Sequence, residues 1–446
     1  MRQRPRVVVR PFGGAADAST LRARGPITAG MNRRRSDPSQ LEFNDMARSD
    51  TATAKVLDPA DAQCEGNPAM GARLRVAEFF AGIGLVRRAV EQEGFRVVFA
   101  NDIEPAKASL YSANFDAGHF VLGDVRRLRG RDMPEADLAS ASFPCTDLSL
   151  AGNRVGLAGK QSGMFWEFAR VLDEMGTRRP SAVLLENVLG FATSRGGRDL
   201  RDAIARLNGL GYQCDMFVLD ASIFIPQSRP RMFIVGSRSR LAQSNWTPST
   251  LRPAWVGDFV RAHPELKMHA AALTLPKPSS ETLAEYVERF SHSDSRWWEP
   301  PRLSAFLRSL SSLQSARVES RRRAPKLGWS TAYRRTRHGD AVWEVRPDTI
   351  SGCLRTARGG SSKQAVVEAG RDVVRVRWMT PIEYARLQGA PDYKLDGIGD
   401  TAALFGFGDA VCVPVVRWIA SSYLRPLLEG RFSVRASGTR SSIAVA

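Results

Sequence analysis

Short apolar runs alternate with stretches of helical periodicity along the chain, and this pattern begins at residue 74. The run 74–80 predicts a strand, and the stretch 85–92, with apolar residues on one face, predicts a helix. Further strands are predicted at 96–100, 120–122, 138–141, 182–185, 213–220 and 232–235, and a further helix at 164–175. Strands that alternate with helices indicate an α/β fold.

Three successive predicted strands end in glycine or an acid. The first is followed by the turn 81–84, where glycines let the backbone approach a ligand and the helix amino end presents donors to it. Asp102 follows the second strand, and Asp124 follows the third. An acid after the second strand can accept hydrogen bonds from ribose hydroxyls, although Asp102 is also explained as a helix cap and the glycines as a packing turn. The three ends together predict a cofactor that carries a nucleoside.

A loop around Cys145 follows the predicted strand at 138–141. Proline restricts its predecessor to extended conformations, so Phe143-Pro144 carries the chain away from the carboxyl end of that strand. Reacting groups gather at this edge of an open α/β sheet, and a stabilised thiolate there is a nucleophile, with an inert buried thiol as the alternative. The glycine-rich stretch 151–163 is long for a simple connection, which indicates either a mobile active-site loop or an ordinary surface loop.

Two further strand ends carry charged side chains. Glu186 follows the apolar run 182–185, where a carboxylate is suited to donate or share a proton. Taken alone, it is better explained as a cap or as a member of an ion pair. Arg229 and Arg231 lead into the strand at 232–235, and side chains two residues apart on a strand point to the same face, where they could meet an anion.

The charge balance indicates a polyanionic partner. The chain has 64 Lys and Arg against 46 Asp and Glu, a net charge of +18. No apolar run is long enough to span a bilayer, so a soluble protein without a membrane partner is predicted. The five cysteines have no paired spacing, so neither a disulfide framework nor a metal site is predicted, and a reducing cytoplasmic setting follows.

Both ends of the chain lack a periodic apolar pattern. A disordered basic arm is predicted at 1–70, because this stretch cannot bury enough apolar surface to offset its ordering entropy. An organelle transit peptide is disfavoured by acids such as Asp37 and Glu42. A later translation start, at Met31, Met46 or Met70, is the other alternative. A flexible tail is predicted at 427–446.

A basic segment lies within 241–375. Residues 302–337 contain ten Lys and Arg against the single acid Glu319, so this stretch supplies +9 of the net charge of +18. Trp329 and Tyr333 are interleaved with these cations, which favours phosphate contact over a merely solvated face. The candidate contact residues are Arg321, Arg322, Arg323, Arg334 and Arg335, to which a glycine turn adds Arg358, Gly359 and Gly360.

Six stretches together resemble the motifs of the bacterial cytosine-5 DNA methyltransferase family, in the family's order and over about residues 74–424 outside the variable insert. They are Phe80-Ala81-Gly82-Ile83-Gly84 for the cofactor turn, Pro144-Cys145 for the nucleophile, Glu186-Asn187-Val188 for the acid, Gln227-Ser228-Arg229-Pro230-Arg231 for the paired arginines, 377–389 for a structural motif and 406–414 for the last cofactor motif.

The chain departs from the family pattern at a few positions. Glu78 and Leu85 stand where the family often has Asp and a third Gly, and Asp409 stands where it usually has Asn. Thr146-Asp147-Leu148 replaces the more frequent Gln and aromatic residues after the nucleophile. These departures concern the cofactor geometry more than the chemistry.

The resemblance implies an S-adenosylmethionine-dependent methyltransferase fold, a Rossmann-like doubly wound α/β sheet with a smaller target-recognition domain. It implies a catalytic and cofactor-binding domain at 71–240, a target-recognition domain at 241–375 and a return to the catalytic domain at 376–426. The cofactor S-adenosyl-L-methionine would be held by Phe80, Gly82, Ile83, Gly84, Asp102, Ile103, Asp124, Val125, Pro144 and Asp409.

The resemblance also implies a mechanism, in which Cys145, Glu186, Arg229 and Arg231 are the catalytic residues. Cys145 would add to carbon 6 of a cytosine flipped out of the duplex, because carbon 5 alone is too weak a nucleophile to take a methyl group. Glu186 would hydrogen-bond ring nitrogen 3 and the exocyclic amine, and Arg231 would help to hold the base.

The expected substrate is double-stranded DNA, methylated at a specific sequence by a monomeric, nucleoid-associated enzyme. The setting would be restriction-modification, with a possible cognate restriction endonuclease, or an orphan or phage-derived enzyme. Two alternatives remain open at this stage: an RNA cytosine-5 methyltransferase, which the long insert disfavours, and a catalytically inactive DNA-binding protein of the same fold, which Cys145 and Glu186 disfavour.

Overall fold

A seven-stranded sheet lies at the centre of the computed structural model, which describes residues 73–144, 157, 159, 163–239, 241, 246–337, 340–356 and 363–432. Its strands are β1 (Arg75–Phe79), β2 (Arg96–Asp102), β3 (Phe120–Leu122), β4 (Leu138–Ala141), β5 (Ala182–Asn187), β6 (Gln213–Asp220) and β7 (Pro230–Ser237), in the order β3-β2-β1-β4-β5-β7-β6. The first five are parallel, and β7 is antiparallel to both β5 and β6. The predicted α/β doubly wound fold is confirmed, and the strand order reverses between β1 and β4, where such sheets bind ligands.

The strands inside the sheet send alternate side chains into two apolar layers, as the two-residue period of a strand requires. In β5, Ala182 and Leu184 belong to one layer and Val183 and Leu185 to the other. The first layer packs on α1 (Leu85–Gln92), α2 (Pro105–Asn114), α9 (Pro381–Leu387), α10 (Asp400–Asp409), α11 (Val413–Ile419) and α12 (Arg425–Leu428). The second packs on α3 (Met164–Glu174), α4 (Gly190–Thr193), α5 (Arg198–Gly209) and α6 (Ala254–Ala262).

A second sheet of four antiparallel strands lies in the described part of the predicted recognition segment. Its strands are β8 (Gly328–Arg337), β9 (Asp340–Val345), β10 (Ala365–Gly370) and β11 (Val373–Trp378), in the order β11-β10-β8-β9. Two helices, α7 (Pro300–Arg308) and α8 (Ser312–Arg322), contribute Phe306 and Val318 to its apolar layer. β11 continues past the domain boundary predicted at 375, whereas α6 belongs to a layer of the central sheet. The domain boundaries therefore stay predictions.

A buried ion pair joins the end of the second sheet to the helices that return to the central sheet. Arg377 and Glu383 are both fully buried and bond to each other, and Glu383 also accepts hydrogen bonds from the backbone N–H groups of Thr380 and Glu288 at 2.8 Å each. Arg377 donates to the carbonyl of Glu288 at 3.0 Å. This pair fixes the start of α9 against the preceding loop.

The segment Asp400–Leu428 is long and apolar enough, by composition, to cross a membrane. The structure places 61% of its most apolar stretch inside the protein, and the chain leaves the helical conformation at residues 410–412. We conclude that this segment is core structure.

Candidate active site

The turn after β1 bends through three left-handed backbone conformations. Phe80, Gly82 and Gly84 have φ angles of 55°, 57° and 79°. A Cβ at Gly84 would lie 2.6 Å from the ring of Phe115, so this position requires glycine for close packing. A Cβ at Gly82 would meet no atom within 4 Å, so the backbone there borders open space. The turn is thus packed on one side and accessible on the other, with Ile83 buried beneath it.

The carboxylate of Asp102, at the end of β2, holds this turn in place. It accepts a hydrogen bond from the N–H of Gly82 at 2.8 Å and another from the N–H of Glu104 at 2.9 Å. Ile103, the next residue, is 57% exposed although it is apolar. An exposed apolar side chain beside open backbone and a carboxylate fits a ligand with a flat face and a polar sugar, as S-adenosylmethionine has. These described residues therefore fit the cofactor that the resemblance implies.

The other predicted cofactor residues have partners within the protein. Asp124 accepts from the backbone N–H of Arg126 at 2.9 Å and pairs with its guanidinium, which lowers the pKa of the carboxyl. Val125 is buried. Asp409, at the end of α10, pairs with Lys107 at 2.8 Å. Burial lowers the pKa of Lys107, but the negative charges near it, that of Asp409 first, outweigh burial and raise the pKa. Lys107 thus ties the last cofactor motif to α2.

The carboxyl group of Glu78, in β1 shortly before the glycine turn, is buried. The sequence pattern did not predict this burial. Glu78 is 1% exposed, and neither of its carboxyl oxygens has a hydrogen-bond partner among the described residues. Burial raises the pKa of Glu78 to about 8, although the nearby charge of Arg87 opposes this. Glu78 is therefore mostly protonated near neutral pH.

We expect Glu78 to make the protein less stable as the pH rises. The unfolded carboxyl loses its proton near pH 4.5 and the folded one near pH 8, so the free energy of unfolding falls between these values and then levels off. Because one pKa unit is worth ~1.4 kcal/mol, the total fall is at most roughly 5 kcal/mol. Glu78→Gln should remove this slope in urea unfolding at pH 5 to 8, whereas the exposed control Glu104→Gln should keep it. Parallel slopes for Glu78→Gln and the wild type would show that Glu78 is not the cause.

The predicted acid and the second arginine of the pair meet at the carboxyl edge of the sheet. Because β7 is antiparallel to β5, the start of β7 lies beside the end of β5, with Asn187 opposite Met232. Arg231 Nε lies 3.0 Å from Glu186 Oε1, and both side chains are largely buried. The carboxylate of Glu186 is thus oriented by a guanidinium at the edge that also carries the glycine turn.

Pro144 is the last described residue before the predicted nucleophile. The side-chain amide of Asn187 donates to the carbonyl of Phe143 at 3.2 Å, which ties the exit of β4 to the end of β5. Phe143 packs against Phe165 and Phe191, with ring centroids 5.6 Å apart in each case. Cys145 and residues 151–156 of the predicted mobile loop lie outside the described residues, as do Arg358, Gly359 and Gly360. These contacts therefore hold Phe143, two residues before Cys145, in place.

Arg229 is buried and its hydrogen bonds go to main-chain carbonyls. It donates to Leu354 at 2.8 Å, to Ala410 at 2.6 Å and to Gly408 at 3.3 Å. Burial, together with the charge of Arg231, lowers its pKa. Arg229 thus joins the segment before the glycine-rich loop to the last cofactor motif.

A cysteine that the sequence pattern did not single out lies between the two arginines. Cys353 Sγ is 3.5 Å from Arg229 Nη1 and 3.7 Å from Arg231 Nη2. Burial alone would raise the pKa of this thiol, but the two guanidinium charges outweigh it and lower the pKa. Nothing in the sequence connects Cys353 with Arg229, because 124 residues separate them.

Most of the predicted DNA-contacting arginines have partners within the protein. Arg321 donates to the carbonyls of Pro347 and Asp348 at 3.0 Å each. Arg322 and Arg323 pair with Glu319 at 2.8 Å, and Arg335 lies 3.4 Å from Glu344. Arg334 differs, since its guanidinium lies 5.8 Å from the ring of Trp343. Glu319 and Asp372 thus offset part of the positive charge of the run at 321–323.

Comparisons with known proteins agree with this geometry. The model of the family described as "C-5 cytosine-specific DNA methylase" matches residues 74–425. The Type II methyltransferase M.NlaX of Neisseria lactamica is 30% identical over 349 residues, which cover 78% of this chain and 95% of that relative. The Type II methyltransferase M.DsaV of Dactylococcopsis salina is 29% identical, covering 79% and 86%. The crystal structure of the S. pombe Dnmt2 methyltransferase has a TM-score of 0.54 at 19% identity and covers 80% of this chain and 99% of that one, a likeness of fold.

Proposed function

We propose that this chain methylates a flipped cytosine at a short specific site in duplex DNA. The chain belongs to the C-5 cytosine-specific DNA methylase family and is a DNA cytosine-5 methyltransferase of the Type II restriction-modification kind. The observation that supports this most is the shared edge of the sheet. The glycine turn held by Asp102, the exit of β4 toward Cys145 and the Glu186–Arg231 pair all lie at the carboxyl ends of the parallel strands. That edge is where an open α/β sheet carries its chemistry.

The family and the fold imply S-adenosylmethionine, which supplies an electrophilic methyl group when bound. We assign its binding to the accessible backbone at Gly82, the carboxylate of Asp102 and the exposed face of Ile103. The proposed site also includes Phe80, Ile83, Gly84, Pro144 and Asp409. In this site, Asp124 and Val125 shape the chain at the end of β3. Because Asp102 already holds the turn, it orients the backbone donors as well as the sugar.

The proposed reaction begins at Cys145. Its thiolate forms a bond to carbon 6 of cytosine, which pushes electron density onto carbon 5 and makes that carbon nucleophilic. After carbon 5 has been methylated, loss of its proton and departure of the thiolate restore the aromatic ring. Flipping the base out of the duplex costs a few kcal/mol of unstacking. We propose that the loop at 151–163 closes over the flipped base.

The Glu186–Arg231 pair would stabilise the charge that develops on the ring. Glu186 is held in place before the base arrives, so its hydrogen bonds to ring nitrogen 3 and the exocyclic amine cost little reorganisation. Arg231 fixes this carboxylate and adds positive charge beside the base. Arg229 has a positioning role, because its two Nη groups donate to the carbonyls of 354, 408 and 410.

We assign choice of the DNA sequence to the segment 241–375. Arg334, Arg335, Arg358, Gly359 and Gly360 are its proposed DNA contacts, with Arg321, Arg322 and Arg323 adding positive field. The enzyme is proposed to act as a monomer in the cytoplasm, associated with the nucleoid. A cognate restriction endonuclease is a further proposed partner.

Methylation mapping tests this function. Bisulfite sequencing of plasmid and genomic DNA from cells that express the chain should show one recurrent methylated site, absent from cells with an empty vector. Exchanging 241–375 for the corresponding segment of a relative should move the site, because the catalytic edge lies outside that segment. Methylation confined to transfer RNA, or spread over cytosines without sequence context, would contradict the proposal.

A further inference from the structure

A cavity of about 260 Å³ opens at one end of the second sheet, beneath α7. Trp343 of β9 and Arg334 of β8 are directly opposite each other in the sheet, and Trp378 ends β11. The rest of the lining consists of Trp298, Arg302, Ala305, Phe306 and Ser309. Ligand pockets for drug-sized molecules span roughly 300–1,000 Å³, so this cavity is suited to a smaller molecule or a single ring system.

Three indole rings form one wall of this cavity. Their centroids are 5.2 Å apart for Trp298 and Trp378, 5.5 Å for Trp298 and Trp343, and 5.8 Å for Trp343 and Trp378. Trp298 is 8% exposed, and its indole N–H has no acceptor among the described residues. A buried donor without an acceptor costs free energy.

Three cations lie over the outer faces of these rings. The guanidinium of Arg302 is 4.2 Å from the centroid of Trp298, Lys363 Nζ is 5.4 Å from Trp378, and Arg334 is 5.8 Å from Trp343. Among the described residues, none that lines the cavity is a carboxylate. Partial burial lowers the pKa of Arg302, and repulsion by the charge of Arg334 lowers it further. An anion at this place would relieve that repulsion.

We propose that this cavity holds one unstacked nucleotide of the DNA substrate, other than the target cytosine. Indole faces stack on any base, and the three cations would surround its phosphate. Arg302 now lies on the ring that the base would use, but it is exposed and can turn from the indole to the phosphate. The inference rests on the proposed function, since it names a second contact of the same DNA.

The first test removes the charge of Arg302 and leaves the three indoles unsubstituted. Arg302→Gln should lower the slope of log affinity against log salt by roughly 0.9 for a fluorescein-labelled duplex that contains the mapped site, because one phosphate contact is lost. Arg308→Gln is the matched control, an exposed arginine on the same helix that does not line the cavity. Equal slopes for the two variants would overturn the proposal.

The second test concerns the rings. Trp343→Leu should raise the KM for DNA roughly tenfold or more and leave kcat unchanged, and Trp343→Phe, which keeps a stacking face, should restore most of the loss. Trp329→Leu is the control, since Trp329 also lies under an arginine, with Arg289 at 3.8 Å, but does not line the cavity. An unchanged KM in Trp343→Leu would overturn the proposal.

Photocross-linking locates the nucleotide directly. Duplexes with 5-iodouracil in place of thymine should cross-link to peptides that contain Trp343 or Trp378 of the full-length protein. Cross-links found only at other peptides would overturn the inference. Wild-type protein without any DNA methylation would instead reject the proposed function, so the two failures are distinguishable.

Discussion

Replacing Cys145 with serine is expected to lower the rate of DNA methylation by roughly a thousandfold or more. The serine hydroxyl is almost entirely protonated at neutral pH and is a far weaker nucleophile than a thiolate, so the bond to carbon 6 does not form at a useful rate. DNA affinity should change little, because one sulfur contributes little to an interface dominated by phosphate contacts. Single-turnover methylation and a mobility-shift titration on the same preparations measure both quantities.

Cys64→Ser is the matched control for this substitution, since Cys64 lies outside the region that matches the family. It should methylate DNA at the wild-type rate. Turnover near the wild-type rate in Cys145→Ser would remove Cys145 from the mechanism. Loss of DNA affinity in parallel with loss of turnover would instead indicate a folding defect.

Replacing Arg377 with methionine is expected to reduce the free energy of unfolding by about 3–5 kcal/mol. Glu383 would keep two backbone donors but lose the guanidinium that neutralises it at a position with no access to water. The cation also lies near the ring of Phe290, at 4.7 Å, so its packing would change as well. Urea unfolding measures the shift through the midpoint of the transition.

Two comparisons identify the origin of that loss. The double variant Arg377→Met/Glu383→Gln should recover part of the stability, because the uncompensated charge is gone. Arg417→Gln, which breaks the exposed pair with Glu93, should cost about 1 kcal/mol or less. If Arg377→Met cost no more than Arg417→Gln, the buried pair would not be a determinant of stability.

The sequence was sufficient to predict the strands and helices that have strong local signals. α1 and β6 coincide with the predicted stretches 85–92 and 213–220, because apolar periodicity and flanking glycines define both elements locally. The antiparallel direction of β7 had no such signal. It depends on the long-range pairing of β7 with β5 and β6, which no local pattern encodes.

The candidate site divides in the same way. The positions of Asp102 and Glu186 follow from their place at strand ends, and the structure brings Asp102 to the glycine turn and Glu186 to Arg231. The contacts of Cys353 depend on residues far away in the chain. The lack of hydrogen-bond partners at Glu78 among the described residues depends on burial in three dimensions. Arg322 and Arg323 appeared as free charges in the sequence, but their helix places Glu319 three and four residues before them, where it pairs with both.

The helices at the carboxyl end pack into the same apolar layer as β1 and α1, although the ribosome makes them much later. α11 packs against α1, and Tyr393 donates to the carbonyls of Ile83 and Leu110 at 2.7 and 3.0 Å. At roughly 5–20 residues per second, the ribosome needs some tens of seconds between making α1 and releasing α11. Throughout that interval the part of α1 that packs against α11 has no partner.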